Sequence, residues 1–166
     1  MVVGSSSLGG WNQDESFLVT VSDRAVLQRD FTSWFGEIGE VLTFVRPGGS
    51  TSLVDGVYLA LSHMRKAHNP RKALVIVSDG GDNNSRYNLR ELLRRATEND
   101  VLIYTIGICQ NPESPEELEG PELLARISQK SGGRSFKVDP GSVGSVIKLS
   151  TWIAPYDFTE TRSASH

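Results

Sequence analysis

One cysteine, three histidines and no long apolar run limit what this chain of 166 residues can be. Cys109 has no second thiol to pair with, so the fold must rest on packing whatever compartment it occupies, and a half-buried thiol is the expected state. No stretch approaches the about 20 apolar residues of a membrane span, and Met1-Val2-Val3-Gly4 runs into serines rather than a signal-peptide core. Basic residues are not in excess. The 17 lysines and arginines are scattered among 20 acids for a formal charge of -3, which argues against nucleic acid as a partner. Catalysis is poorly served too. His63 and His68 sit on or just after a helix whose other face carries Arg65 and Lys66, which reads as solvated surface, and no histidine is placed to activate Cys109. Trp11, Trp34 and Trp152 are spread apart and read as packing residues rather than a stacking platform.

What is present suits one α/β domain. A 38% hydrophobic content suffices for a single core. The glycine- and serine-rich start reads as a flexible lead-in over residues 1–13, the domain spans residues 14–154, and residues 155–166 form a polar, flexible tail. Phe17-Leu18-Val19-Thr20-Val21 is a strand ended by Ser22-Asp23-Arg24. Phe35, Ile38, Leu42 and Val45 then recur at helical spacing, weakened by Gly36 and Gly39. Ser50-Thr51-Ser52 supplies caps for a helix with the stripe Leu53, Val57, Leu61 and Met64. Ala73 to Val77 is apolar at every position, the pattern of a central parallel strand. A helix with Leu89, Leu92, Leu93 and Ala96 leads to the strand Val101 to Ile106. Pro112 to Gly120 reads as an acidic loop before a helix anchored by Leu123, Leu124 and Ile127. A short strand, Ser135 to Val138, and a helix near Val143 to Trp152 complete the pattern. Such alternation indicates a three-layer sandwich around a mainly parallel sheet.

Asp79 is the most informative residue. It follows the apolar strand in Val77-Ser78-Asp79-Gly80-Gly81-Asp82-Asn83, and ligands of open α/β sheets settle outside the carboxyl ends of strands, where an acidic loop can hold a hard cation. Asp79 can equally be a turn acid bonding loop amides. Thr51 has a similar double reading, as ligand or as helix N-cap, whereas Asp55 reads as a partner of the helix dipole and Asp82 and Asn83 as residues that shape the loop. Gly48-Gly49-Ser50-Thr51 could cradle a phosphate, but no Gly-Lys-Ser/Thr follows at the required spacing.

The order of elements, with Gly48-Gly49-Ser50-Thr51-Ser52-Leu53-Val54-Asp55 before one helix, the Asp79 loop after a strand and Val101 to Gly107 beyond it, resembles the von Willebrand factor type A domain, bacterial members above all. The resemblance implies a Rossmann-like fold and a non-enzymatic module for protein interaction or adhesion. It also implies a metal-ion-dependent adhesion site, in which three loops hold magnesium or manganese and a partner's acidic group completes the coordination. By position Thr51 matches the second-loop threonine and Asp79 the third-loop aspartate. The family places Asp-x-Ser-x-Ser after its first, central strand and follows it with a helix. Here Val3-Gly4-Ser5-Ser6-Ser7 echoes only the serines, and the strand, helix and loop are expected to be missing. Magnesium or manganese should then bind weakly or not at all, because two ligands rarely strip magnesium of its water. A missing central strand also leaves unpaired backbone. The gap should be filled by the flanking strands closing up, by the lead-in or tail inserting, or by a second copy pairing edge to edge. Alternatives to an interaction module are a metal-assisted hydrolase using Asp79 and a structural fragment that oligomerises. An extracytoplasmic setting is implied by the resemblance only.

Overall fold

A computed structural model describes residues 1–7, 14–34, 36–44, 50–108 and 115–138. Its elements are β1 (Val2–Ser7), β2 (Glu15–Val21), β3 (Ala25–Thr32), α1 (Gly36–Phe44), α2 (Leu53–Met64), β4 (Arg71–Ser78), α3 (Leu89–Glu98), β5 (Val101–Ile108), α4 (Pro115–Ser131) and β6 (Ser135–Val138). The strands form one sheet in the order β3-β2-β1-β4-β5-β6. β4, β5 and β6 pair in parallel. β1 is antiparallel to both of its neighbours, and β3 is antiparallel to β2. Four strands therefore point one way, and β1 and β3 oppose them. The three-layer α/β class holds, with a mixed sheet.

Side chains alternate across a strand, so each strand feeds two cores. Val2, Phe17, Leu74, Ile76 and Ile103 bury one face under α2, α3 and α4, whose Leu61, Leu92 and Ile127 are fully covered. The stripe Leu53, Val57, Leu61 and Met64 lies wholly in this core, each side chain contributing about 2 kcal/mol. Val3 and Leu18 face the other way, against Ile38 of α1.

The glycine- and serine-rich start is not a loop. Val2–Ser7 is the third strand across, between β2 and β4, so of the expected ways to fill the gap the lead-in's insertion is the one found. Gly4 is required there, since a Cβ at this position would stand 2.0 Å from a ring carbon of Phe17. With β1 in place, the reason for a second copy to pair at that gap falls away.

Other elements also differ from the sequence reading. β3 was hidden because only Ala25 and Leu27 alternate inward before Gln28-Arg29-Asp30 turns polar. The acidic stretch is helical from Pro115 onward, and the helix continues through Pro121. Trp34 is not a packing residue but stands 59% exposed. His63, read as surface, is 5% exposed and buried between Phe17 and Phe31. The helix expected near 143–152, the tail, and Gly48, Gly49, Cys109, Trp11, Trp152 and His166 lie outside the described residues.

Candidate functional site

β2 and β4 run in the same direction, so their carboxyl ends open on one rim of the sheet. Three segments meet there: the turn after β2, the approach to α2, and the loop after β4. The backbone N–H groups of Asn83 and Asn84 both donate to the carbonyl of Thr51, at 3.0 and 3.1 Å, and the Thr51 N–H donates to Asn83 Oδ1 at 2.9 Å. Thr51 and Asp79 therefore belong to two loops that are hydrogen-bonded to each other on the same rim. Ser52 donates its N–H and its hydroxyl to the carbonyl of Ser22, at 3.0 and 2.8 Å, and the Ser50 N–H donates to Asp23 Oδ1 at 2.8 Å. Asn84 Nδ2 closes the ring by donating to the carbonyl of Asp23 at 2.7 Å.

The cap of α2 comes from across the rim. Ser52 holds the N-cap position without a side-chain cap bond. The exposed amides of the first turn are met instead by Asp82 Oδ1, which accepts from Val54 at 3.4 Å, and by Ser85 Oγ, which accepts from Asp55 at 3.1 Å. Asp82 Oδ1 also accepts from Ser85 Oγ at 2.5 Å. Asp55, in that first turn, accepts the backbone N–H groups of Arg86 and Tyr87 at 2.9 and 3.0 Å, with Arg86 Nε 3.7 Å away. The two loops thus hold one another, and a helix N-terminus receives the negative charge its dipole favours.

Asp79 itself accepts the Gly81 N–H at 3.0 Å and the Ser78 hydroxyl at 3.3 Å through Oδ1. Its loop turns through Gly80, whose φ of +91° suits glycine, and it passes directly over Gly120 of α4. Among the described residues, no oxygen cluster stands at the rim end of β1. β1 runs against β4, with Val2 opposite Ile76 and Ser7 opposite Arg71, so the serines lie at the far end and Met1 lies at the rim. The α-ammonium of Met1 donates to the carbonyl of Val77 at 2.9 Å. Burial lowers its pKa from 8.0 to about 6, with the Asp79 carboxylate pulling the other way.

As a cation site this donor set is poor. Thr51 and Asp79 supply two oxygens where magnesium wants near-octahedral six, and the rim acids Asp23, Asp82 and Asp55 are engaged by backbone amides. Among the described residues no trio of His, Cys, Asp or Glu is placed to hold a metal.

Asp23 is the rim residue that sequence reasoning missed. Its signal was present, because Val21-Ser22-Asp23 ends β2 with the same tripeptide, Val77-Ser78-Asp79, that ends β4.

The sequence profile of the von Willebrand factor type A domain matches residues 2–146. The chain belongs to that family. An uncharacterised protein of Borreliella burgdorferi is 27% identical to the VWA chain over 107 residues, covering 55% of it and 31% of the relative. The chain thus spans about a third of the curated relative it matches. The conserved hypothetical protein BatB of Bacteroides thetaiotaomicron superposes with a TM-score of 0.60 at 15% identity, covering 84% of this chain and 79% of that one. The VWA domain of SpRpn10 gives 0.51 at 15% identity, over 75% and 64%. These structures share the fold. VWA domains commonly serve as protein-interaction modules and are generally not enzymes. No helix among the described residues is long and apolar enough to cross a membrane.

Proposed function

We propose that this VWA domain is a protein-interaction module of the adhesion type, that it docks through the rim built from residues 50–55 and 79–88, and that its metal-ion-dependent adhesion site is degenerate. The observation that supports this reading best is the mutual hydrogen bonding of the Thr51 and Asp79 loops, which holds exposed polar groups in fixed positions. Thr51 and Asp79 are the two ligand positions retained. Magnesium or manganese binds there weakly or not at all, since Thr51 and Asp79 offer too few oxygens to replace the ion's water shell. A partner's acidic side chain is then drawn by protein cations rather than by a resident metal.

Two measurements test the reading. Titration calorimetry with magnesium and with manganese should show no tight binding, and a micromolar site would overturn the degenerate-site view. Affinity capture should be compared between the wild-type chain and a Thr51→Ala/Asp79→Ala variant of matched melting temperature, with chelator and with magnesium. Partners held by the wild type in chelator and lost by the variant support the rim. Hydrolysis of generic phosphate esters that disappears on Asp79→Ala would instead make the protein an enzyme.

A further inference from the structure

Beside the rim, in a chain of net charge -3, residues 86–95 carry four arginines against one glutamate. The placement of Arg90 is unusual for helix stability. α3 begins at Leu89, so Arg90 lies in its first turn, where the helix dipole disfavours a cation. Among the described residues no carboxylate pairs with Arg90, which is exposed. Arg94, one turn on, pairs with Glu98 at 2.9 Å and is 63% exposed. Leu92 and Ala96 face the core, so Arg90 and Arg94 share the opposite, solvent face of α3.

An aromatic stack lies along the Glu91 and Arg95 side of the same helix, where the Tyr58 hydroxyl donates to Glu91 Oε1 at 3.5 Å. Tyr58 of α2 and Tyr87 lie near-parallel, 8° apart, with centroids 3.8 Å apart. The Arg95 guanidinium carbon stands 4.2 Å from the Tyr58 centroid, and at such separations it must take the ring face that Tyr87 leaves free. Tyr87 is held from behind and is still 44% exposed, so its outer surface is open to a second molecule. Its backbone is fixed by Asp55, and the Arg86 side chain next to it is 86% exposed. Rigid tyrosine flanked by arginine is the composition of interface hot spots.

We propose that Arg86, Tyr87, Arg90 and Arg94 form a docking surface for an acidic segment of a partner protein, with carboxylates on the arginines and an aromatic or proline side chain on Tyr87. This rests on the interaction-module reading and adds the partner's chemistry. Nucleic acid fits less well, because the cationic patch of Arg86, Arg90 and Arg94 is too short to follow a phosphate backbone over several nucleotides.

The test is fluorescence anisotropy on the full chain with a labelled glutamate-rich peptide carrying one tryptophan, beside its glutamine counterpart and an oligothymidylate of matched charge. The glutamate peptide should bind more tightly than the glutamine one and weaken with salt. Arg90→Glu/Arg94→Glu should weaken it about tenfold and Arg90→Gln/Arg94→Gln by less, while Tyr87→Ala should weaken it about fivefold. Equal binding of both peptides, indifference to these substitutions, or preference for the oligothymidylate overturns the proposal. A captured partner lost on Thr51→Ala/Asp79→Ala but kept by the arginine variants removes this surface and leaves the rim reading standing; the converse removes the rim reading instead.

Discussion

The imidazole Nε2 of His63 and the carboxylate Oδ1 of Asp30 meet 2.9 Å apart, joining the last turn of α2 to the edge strand β3. The ring lies parallel to Phe31 at 4.8 Å and edge-on to Phe17 at 4.7 Å, so one side chain packs and bonds the hairpin to the helix. His63→Ala should cost about 3 kcal/mol by leaving a cavity between two aromatic rings. His63→Phe should cost less than about 1.5 kcal/mol, because it keeps most of the packing. Urea midpoints of the two variants separate packing from hydrogen bonding, and an unchanged midpoint for His63→Ala would show that the ring does not hold this seam.

Asp30 adds a pH dependence at the same seam. The backbone N–H of Phe31, and then His63, hold its carboxyl below the ordinary 3.8. A depressed folded value means that its contribution is complete above the unfolded pKa and is lost as pH falls through the lower folded one. Asp30→Asn should therefore lower stability in the neutral region, where the carboxylate's contribution is complete, and leave the acid end nearly unchanged, so that the acid limb flattens. Urea midpoints taken from neutral pH down through the acid limb, for wild type and variant, check this.

His63 also shows where local reading stops. Arg65 and Lys66 beside it are exposed, and that charge suggested a wet face, yet the helix turns residue 63 toward Ala60 and Met64 and the rings of the hairpin. The apolar runs of β4 and β5 and the stripe of α2 were legible because their burial follows from their own periodicity. β1 was not, since Val-Val-Gly-Ser-Ser-Ser has no such pattern and becomes a strand only through neighbours that need pairing. The same limit applied at the rim. Thr51 and Asp79 stood out by motif, while the capping of α2 by Asp82 and Ser85 is a contact between distant segments that no spacing encodes.

The rim's geometry rests on a second close approach, between Gly80 and Gly120. A Cβ on Gly80 would stand 2.3 Å from the carbonyl oxygen of Gly120, and one on Gly120 would stand 2.4 Å from that of Asp79. Both obstacles are backbone and cannot rotate away. Gly80→Ala should cost about 2 to 4 kcal/mol, combining overpacking with a left-handed φ. Gly120→Ala, free of the φ penalty, should cost about 1 to 3 kcal/mol. If thermal unfolding showed Gly80→Ala as stable as wild type, the loop and α4 would not be in backbone contact.

Asp55 connects the rim to the tyrosine stack. Its side chain is 10% exposed and accepts two backbone amides, so Asp55→Ala leaves two donors unpaired, at about 2 to 4 kcal/mol. Asp55→Asn keeps one carbonyl oxygen in place and should lose roughly half as much. Hydrogen exchange at the amides of Arg86 and Tyr87 reads the effect where it acts. Faster exchange there in Asp55→Ala, with the β4 amides unchanged, is the expected result, and uniform acceleration across the sheet would mean global loosening instead.

The amino group of Met1 gives the rim a titration of its own. Its folded pKa of about 6 lies below the 8.0 of a free amine, because burial disfavours the charged form more than Asp79 supports it. Between those values the unfolded chain holds more protons than the folded one, so stability rises with pH across this window and levels off above it. Two pH units correspond to about 3 kcal/mol between the acidic and alkaline plateaus. Denaturation midpoints from pH 5.5 to 8.5, on protein with a free amine at Met1, should follow this rise. Asp79→Asn removes the one opposing charge, which should lower the amine's pKa further and widen the rise. A flat profile in both proteins would place the ammonium in water rather than at the carbonyl of Val77.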